Sequence, residues 1–423
     1  MTAQKINKFV SRRIIFHIDF DSFFASCEQQ YRSELRNKPI GVTAANSRTC
    51  IIASSREAKR LNIKTGARSY EAIKVCPNLV LVPADFNKYF EVSKKFLNIC
   101  KDYSPFTELF SIDEVFMDVT RTHDLFGGPY KTVDIIKKRI KSEIGEYITA
   151  SFGISHNKLL AKLGSGMNKP NGIFEINKED VISVYKKAKL TDICGIGERI
   201  KRRLEEIGIF NLIQLRNCSL DILIGEFGNV EGQFLKSVGL AIDESEVIPY
   251  TEPTDVKSVG RSYCLPKNEC DKRVVLQNIY ELCEEIGIKL RRLNKKGRTI
   301  GIGLNGDRHI HFRKTFKEYV NTGSDIYNLS LPFLKEDFKN QKYTRQIHVW
   351  VSNLEDNKNI PLSLFDYANK QEKVTNVIDK INDKFGDHTI RNGFLLYSNK
   401  LTTVPNGYMA DKFERMKLTK VDY

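Results

Sequence analysis

Near the start of the chain, in RRIIFHIDFDSFF, Ile14, Phe16 and Ile18 alternate with Ile15, His17 and Asp19. Apolar residues at both parities predict a strand covered on both faces and ending near Asp19. Phe23, Phe24, Cys27 and Tyr31 come next at helical spacing and predict a helix with one apolar side. Within 40–56, IGVTAA and CIIASS read as strands, and SREAKR begins a helix. Pro77-Asn78 marks a turn before the apolar stretch 79–82. A helix over about 87–102 leads to FTELFSIDEVFMDVT, where two short strands meet around Ser111–Glu114.

Val133, Ile136, Ile140 and Ile144 are spaced for a helix over 130–146, ITASFGIS for a strand, and NKLLAKLGSGM for a helix stopped by the turn Asn168–Gly172. Strands alternating with helices over 13–176 predict an α+β or α/β sheet domain. Residues 177–243 switch to helices punctuated by glycine, and ESEVIPYTEPTD (244–255) reads as a linker. Beyond it, Val275, Ile279, Leu282, Cys283, Ile286, Leu290 and Leu293 line one side of a helix. TIGIGL and QIHVWVSNL read as strands, Ile300, Ile302 and Leu304 sharing one face. The remainder, 353–423, is polar, with one helix over 374–385 and a mobile tail.

Composition adds limits. A chain of 423 residues allows two to four domains, and 41% hydrophobic with 28% charged residues is ordinary for globular protein. No run approaches the roughly 18 apolar residues of a membrane span. The basic N-terminus lacks the apolar core of a signal peptide, so a cytoplasmic protein is expected. Nine cysteines without a C-x-x-C pair argue against disulfides and structural zinc. The net charge of +15 is unevenly spread: residues 257–317 carry fifteen Lys/Arg against six Asp/Glu. A concentrated excess of that kind suits a nucleic-acid backbone, whose released counterions drive binding.

Three carboxylates carry the chemistry. Asp19 ends one strand and Asp113-Glu114 begins another, so they converge only if those strands are neighbours in one sheet. Clustered acids repel unless a cation neutralises them. Mg²⁺ prefers oxygen ligands and keeps water and phosphate in its shell. Two such ions about 3.5–4 Å apart activate an attacking hydroxyl and stabilise a leaving pyrophosphate. Either segment alone reads equally as solvated loop acids.

HIDFDSFFASCEQ resembles the opening of the Y-family DNA polymerases, the UmuC/DinB-type lesion-bypass enzymes, and SIDEVFMD resembles their second catalytic motif. SREAKRLNIKTG, FGISHNKLLAKLGSGMNKPNG, DICGIGERIKRRLEEIGI and KSVGRS continue the resemblance in family order over roughly 13–365. It implies an α+β multidomain, right-hand polymerase: a palm from 13–22 and 87–176, fingers at 23–86, and a helical thumb with a helix-hairpin-helix at 177–243. A linker at 244–256, a little finger at 257–352 and a tail at 353–423 complete it. The activity implied is low-fidelity addition of dNTPs to a primer 3′ end on template DNA, without proofreading.

Residue by residue, Asp19, Asp113 and Glu114 match the ligands of two Mg²⁺ ions, joined by the backbone carbonyl of Phe20. Asp21 is structural. Phe24 matches the steric gate beneath the sugar; without the flanking motif it reads as an ordinary core ring. Lys59 and Lys169 match the residues holding the triphosphate. Arg56 stands where many relatives have Tyr and is a further candidate for it. Gly195, Gly197, Lys201 and Arg261 are candidates for the DNA backbone. Leu362, Leu364 and Phe365 resemble a sliding-clamp docking peptide, with Pro361 in place of its usual Gln. A monomer is expected. A DNA-binding repair factor without catalysis and a nucleotide cyclase are the alternatives; the carboxylate trio disfavours the first, the glycine hairpin and basic last domain the second.

Overall fold

The doubly covered run Ile15–Phe20 becomes β1, the middle strand of a five-stranded sheet. The structure is a computed structural model, and it describes residues 13–44, 50–252, 255–360, 366–386 and 389–396. The clamp-like residues Leu362, Leu364 and Phe365 therefore lie outside the described residues. Two units divide at about residue 253.

In the first unit β1 is followed by α1 (Phe23–Tyr31), β2 (Ile40–Thr43), β3 (Ile51–Ser54), α2 (Arg56–Arg60) and α3 (Ser69–Val75). Next come β4 (Val80–Pro83), α4 (Phe86–Lys101), β5 (Thr107–Leu109), β6 (Glu114–Asp118) and α5 (Pro129–Arg139). The sheet closes with β7 (Ala150–Ser155), α6 (Lys158–Met167) and β8 (Ile173–Ile176). Helices α7 (Val181–Lys187), α8 (Glu198–Glu206), α9 (Leu212–Asn217), α10 (Leu220–Phe227) and α11 (Asn229–Leu240) form a cluster around Leu204, Leu212, Leu215, Leu223 and Leu235.

The large sheet runs β5-β6-β1-β7-β8, with β1 antiparallel to both neighbours; β3-β2-β4 form a second, small sheet. Alternation along β1 sorts its side chains. Phe20 packs on Phe96 of α4, ring centroids 4.3 Å apart, and Phe16 on Phe152 of β7 at 6.4 Å. Ile15, His17 and Asp19 take the opposite face, where α6 lies. There α6 seats directly on β7 because Gly153 has no side chain: a Cβ would fall 1.8 Å from the Ala161 carbonyl oxygen and 2.4 Å from the Ser165 nitrogen. Those atoms belong to backbone and cannot swing aside. Gly153→Ala is expected to destabilise the unit by roughly 2–3 kcal/mol, the scale of overpacking a tight core. Urea unfolding measures this, and an unchanged midpoint would contradict the packing.

Two features depart from the sequence expectations. Tyr31 closes the predicted apolar side of α1 yet is 51% exposed, with the Lys88 ammonium 5.6 Å over its ring. The start of the expected linker is a strap. The Asp243 carboxylate accepts from the Leu159 N–H at 2.9 Å, Ile248 N–H donates to Glu108 at 2.9 Å, and Val247 is buried against Ile15, Phe116 and Ala161.

The second unit comprises β9 (Ser258–Glu269), α12 (Lys272–Arg292), β10 (Lys295–Gly306), β11 (His309–Val320), α13 (Gly323–Lys339), β12 (Thr344–Asp356) and α14 (Asp366–Phe385). Its sheet runs β11-β10-β12-β9. Ile300, Ile302, Leu304, Ile347, Val349 and Val351 share a core with Val275, Ile279, Leu282, Ile286 and Leu290 of α12. The sequence reading misses β11, whose HIHFRKTFKEYV carries charge on an open face, and α13, which holds Pro332 inside it. The polar tail also carries structure. Asp379 of α14 takes both Nε and Nη2 of Arg291 at 2.6 and 2.7 Å, Asp383 takes Arg292 at 2.7 Å, and Leu395 is fully buried.

Candidate active site

Antiparallel register places Asp19 directly opposite Glu114 across β1 and β6. The Phe20 N–H donates to the Asp113 carbonyl at 3.0 Å, tying the end of β1 to the turn that carries Asp113. All three predicted carboxylates therefore meet at one edge of the large sheet. Ser22, in the left-handed conformation at φ 52°, then turns the chain from β1 into α1.

The charges at this edge are unequally compensated. Lys169 Nζ lies 2.8 Å from Asp19 Oδ1, and Lys162 of α6 donates to Glu114 Oε2. Burial alone would raise the Glu114 carboxyl, but His17 and Lys162 outweigh it and hold the group down at about 2. Asp113 goes the other way. Burial first, then the negative charge of Asp19, pushes it up to about 7, against the opposing hydrogen bond from the Ser111 hydroxyl. A carboxyl short of positive neighbours, grouped with other carboxylate oxygens, fits a divalent cation that takes oxygen ligands. Carboxylate oxygens of Asp19 and Glu114 lie within 4.8 Å of one another, a span that one ion bridges.

Around this edge stand the other predicted residues of the first unit. The Lys59 ammonium is held below the usual lysine range by desolvation and then by Lys169, while Asp19 pulls it back. Arg56 begins α2 behind its Ser55 cap and donates through Nη2 to the Thr149 hydroxyl. Its buried Nε has no hydrogen-bond partner among the described residues. Asp21 faces inward at 3% exposure and accepts from Thr149 Oγ1, Ser151 Oγ and the Asn171 N–H at 2.7, 2.8 and 2.7 Å. Those three donors occupy it as a joint between β1 and the β7–β8 region. Phe24, 6% exposed, stacks on Tyr89 at 4.4 Å and meets Phe86 edge-on at 6.0 Å.

Gly195 and Gly197 belong to the helical cluster. Gly195 has φ +99°, which favours glycine, and Gly197 caps α8 without a side-chain bond, leaving that helix's first N–H groups open. Lys201 on α8 pairs with Glu198 at 3.4 Å. In the second unit, the Arg261 Nε donates to Glu285 of α12 at 3.1 Å, which turns this residue to the helix-covered face rather than the open one.

Sequence reasoning overlooked His17, Lys162 and Ser165. His17 was visible only as a strand residue two before Asp19, hence on its face; Lys162 and Ser165 sit three apart on α6, hence on one side. Lys162 also lines a cleft of about 480 Å³ with Phe110, Phe116, Lys158 and Phe234.

The chain matches the sequence profile of the impB/mucB/samB family over residues 18–166 and that of the same family's C-terminal domain over 256–364. It is 31% identical to the DNA polymerase IV of Clostridium kluyveri, over 92% of this chain and 99% of that one. With the DNA polymerase IV of Alkaliphilus oremlandii it shares 32% identity over 90% and 99%. A solved Y-family DNA polymerase chimera is similar at a TM-score of 0.68 and 26% identity, covering 80% of this chain and 98% of that one.

Proposed function

This chain belongs to the impB/mucB/samB family of Y-family DNA polymerases, and from that premise we propose that it extends primers across damaged template by two-metal nucleotidyl transfer at Asp19, Asp113 and Glu114. It is a DNA-directed DNA polymerase with the multidomain right-hand fold of that family. The observation that carries the proposal is the register setting Asp19 against Glu114 with Asp113 adjoining.

In this reading the three carboxylates and the Phe20 carbonyl hold two Mg²⁺. When bound, the ions lower the cost of ionising the primer hydroxyl and of releasing pyrophosphate. Lys59, Lys169 and Arg56 neutralise the triphosphate, whose charge spreads over its oxygens as the bond to the α-phosphorus is exchanged. The Lys169–Asp19 pair would then open on loading, with Lys169 taking the triphosphate and Asp19 among the residues that would hold the metal. Phe24 sits under the sugar.

In the same reading the segments are assigned as palm from 13–22 and 87–176, fingers 23–86, thumb 177–243 and little finger 257–352. The open N-terminus of α8 approaches the DNA backbone without reading sequence. Low fidelity without proofreading, a monomer and a cytoplasmic setting belong to the same reading. Among the described residues no helix is long and apolar enough to cross a membrane.

Primer extension on an abasic-site template with Mg²⁺ is the direct test, and no extension by the wild type would refute the proposal. Docking to a sliding clamp through Leu362, Leu364 and Phe365 is tested separately. Leu364→Ala with Phe365→Ala should remove roughly 10-fold or more of clamp-stimulated synthesis, the scale of losing two apolar anchors, and spare basal synthesis. Equal loss of both activities would point to misfolding instead.

A further inference from the structure

We propose that His17 and Ser165 are positioning residues: the Ser165 hydroxyl selects the imidazole tautomer that donates from Nε2 to Glu114, and so fixes how that carboxylate is presented. The inference rests on reading Glu114 as a ligand of the reaction centre.

His17 is wholly buried in the middle of β1, its ring tilted against Phe116 at 4.5 Å. Both ring nitrogens are engaged. Nδ1 lies 2.7 Å from Ser165 Oγ and Nε2 lies 3.0 Å from Glu114 Oε2. An ionised carboxylate only accepts, so Nε2 must carry the proton. The ring is wholly buried and the Lys162 ammonium already lies on the same Glu114 oxygen, so a neutral imidazole with one N–H fits this position and Nδ1 must then accept. Ser165 is the donor that allows it.

The Ser165 hydroxyl has a competing acceptor, the Lys162 carbonyl at 2.9 Å. Given to that carbonyl, its hydrogen would leave the proton on Nδ1 and set the Nε2 lone pair against Glu114, two acceptors at 3.0 Å. The relay Ser165 to His17 to Glu114 avoids that conflict. Lys162 donates to the same oxygen, Oε2, from α6. With two donors on Oε2, the carboxylate cannot rotate, and the direction of Oε1 is set. The chain of contacts begins with Gly153, which faces His17 across β7 and whose bare Cα lets α6 bring Ser165 within reach.

Partners that orient a metal-binding side chain typically contribute about 10–100-fold in metal affinity or activity. Ser165→Ala should weaken Mn²⁺ binding, read by electron paramagnetic resonance without DNA or nucleotide, by about 10-fold. His17→Gln can place an amide N–H near the position of Nε2, whereas His17→Asn ends near Nδ1. Glutamine should therefore retain Mn²⁺ affinity within about threefold and asparagine should lose as much as Ser165→Ala. Nitrogen-15 shifts of the imidazole, assigned by its loss in His17→Gln, should report the Nε2–H tautomer in the wild type and a shift towards Nδ1–H in Ser165→Ala.

An Nδ1–H tautomer in the wild type overturns the inference, as does wild-type Mn²⁺ affinity in Ser165→Ala or equal behaviour of Gln and Asn. If Ser165→Ala unfolds, the Gln and Asn comparison decides. A wild type inactive in primer extension refutes the proposed function; an active wild type with unaffected variants refutes this inference alone.

Discussion

Asp113→Ala is expected to lower single-nucleotide incorporation by at least about 1,000-fold, the scale of removing a principal electrostatic element from phosphoryl transfer. Loss of a centre, rather than of the fold, has a second signature. The Asp113 carboxyl is raised to about 7 by burial and by Asp19, whereas an unfolded carboxyl titrates near 3.8. A group with a raised folded pKa binds its proton more tightly in the native state, so its ionisation costs stability as pH rises. That cost grows between about pH 4 and pH 7 and is complete above. In EDTA, Asp113→Asn should thus melt higher than the wild type at pH 8, with the gain vanishing towards pH 4. Wild-type incorporation by Asp113→Ala would remove the residue from the centre. A variant melting lower at pH 8 would show that the carboxylate is not repelled.

Phe24→Ala should admit ribonucleotides on the order of 1,000-fold more readily relative to deoxyribonucleotides. Against the wild-type ring a 2′-hydroxyl would be forced into apolar contact without a hydrogen-bond partner, at roughly 4 kcal/mol. The ring cannot retreat, since Tyr89 stacks behind it at 4.4 Å and Phe86 abuts it at 6.0 Å. Tyr89 is in turn held by its hydroxyl, which donates to the buried Glu28 carboxylate at 2.9 Å. Because truncating a buried Phe costs about 3–5 kcal/mol, Phe24→Leu should accompany it. The leucine retains packing and should show the same direction of change at smaller size. Unchanged sugar discrimination in both variants, measured as the ratio of kcat/KM for the two nucleotides, would leave Phe24 a core residue.

Much of the fold was legible because its signals are local. β1 betrays itself by apolar residues at both parities, α12 by a long apolar side, and β10 by the alternation of Ile300, Ile302 and Leu304 with small or polar residues. The features missed lack such signals. β8 is four residues after a turn, β11 bears Lys and Arg on an open face, and α13 contains a proline. α14 looks like the helix of a free polar tail. Its attachment depends on Arg291 and Arg292 meeting Asp379 and Asp383 from far along the chain.

The same division runs through the site. By itself the sequence determined the acids and the basic residues, because chemistry needs particular side chains and motifs keep them in order. It offered Asp19, Asp113 and Glu114 as a candidate metal-binding trio and, through the family resemblance, Phe24 as a candidate sugar gate and Lys59 and Lys169 as candidate phosphate partners. Tertiary structure alone decided how these groups face one another. Register set Asp19 against Glu114; Gly153 let α6 close on the sheet; α6 then brought Lys162 and Ser165 to Glu114 and His17. Hydrogen bonds and charge interactions fall off within a few ångströms. A sequence fixes which groups exist, while only packing fixes those last ångströms and the protonation that results from them.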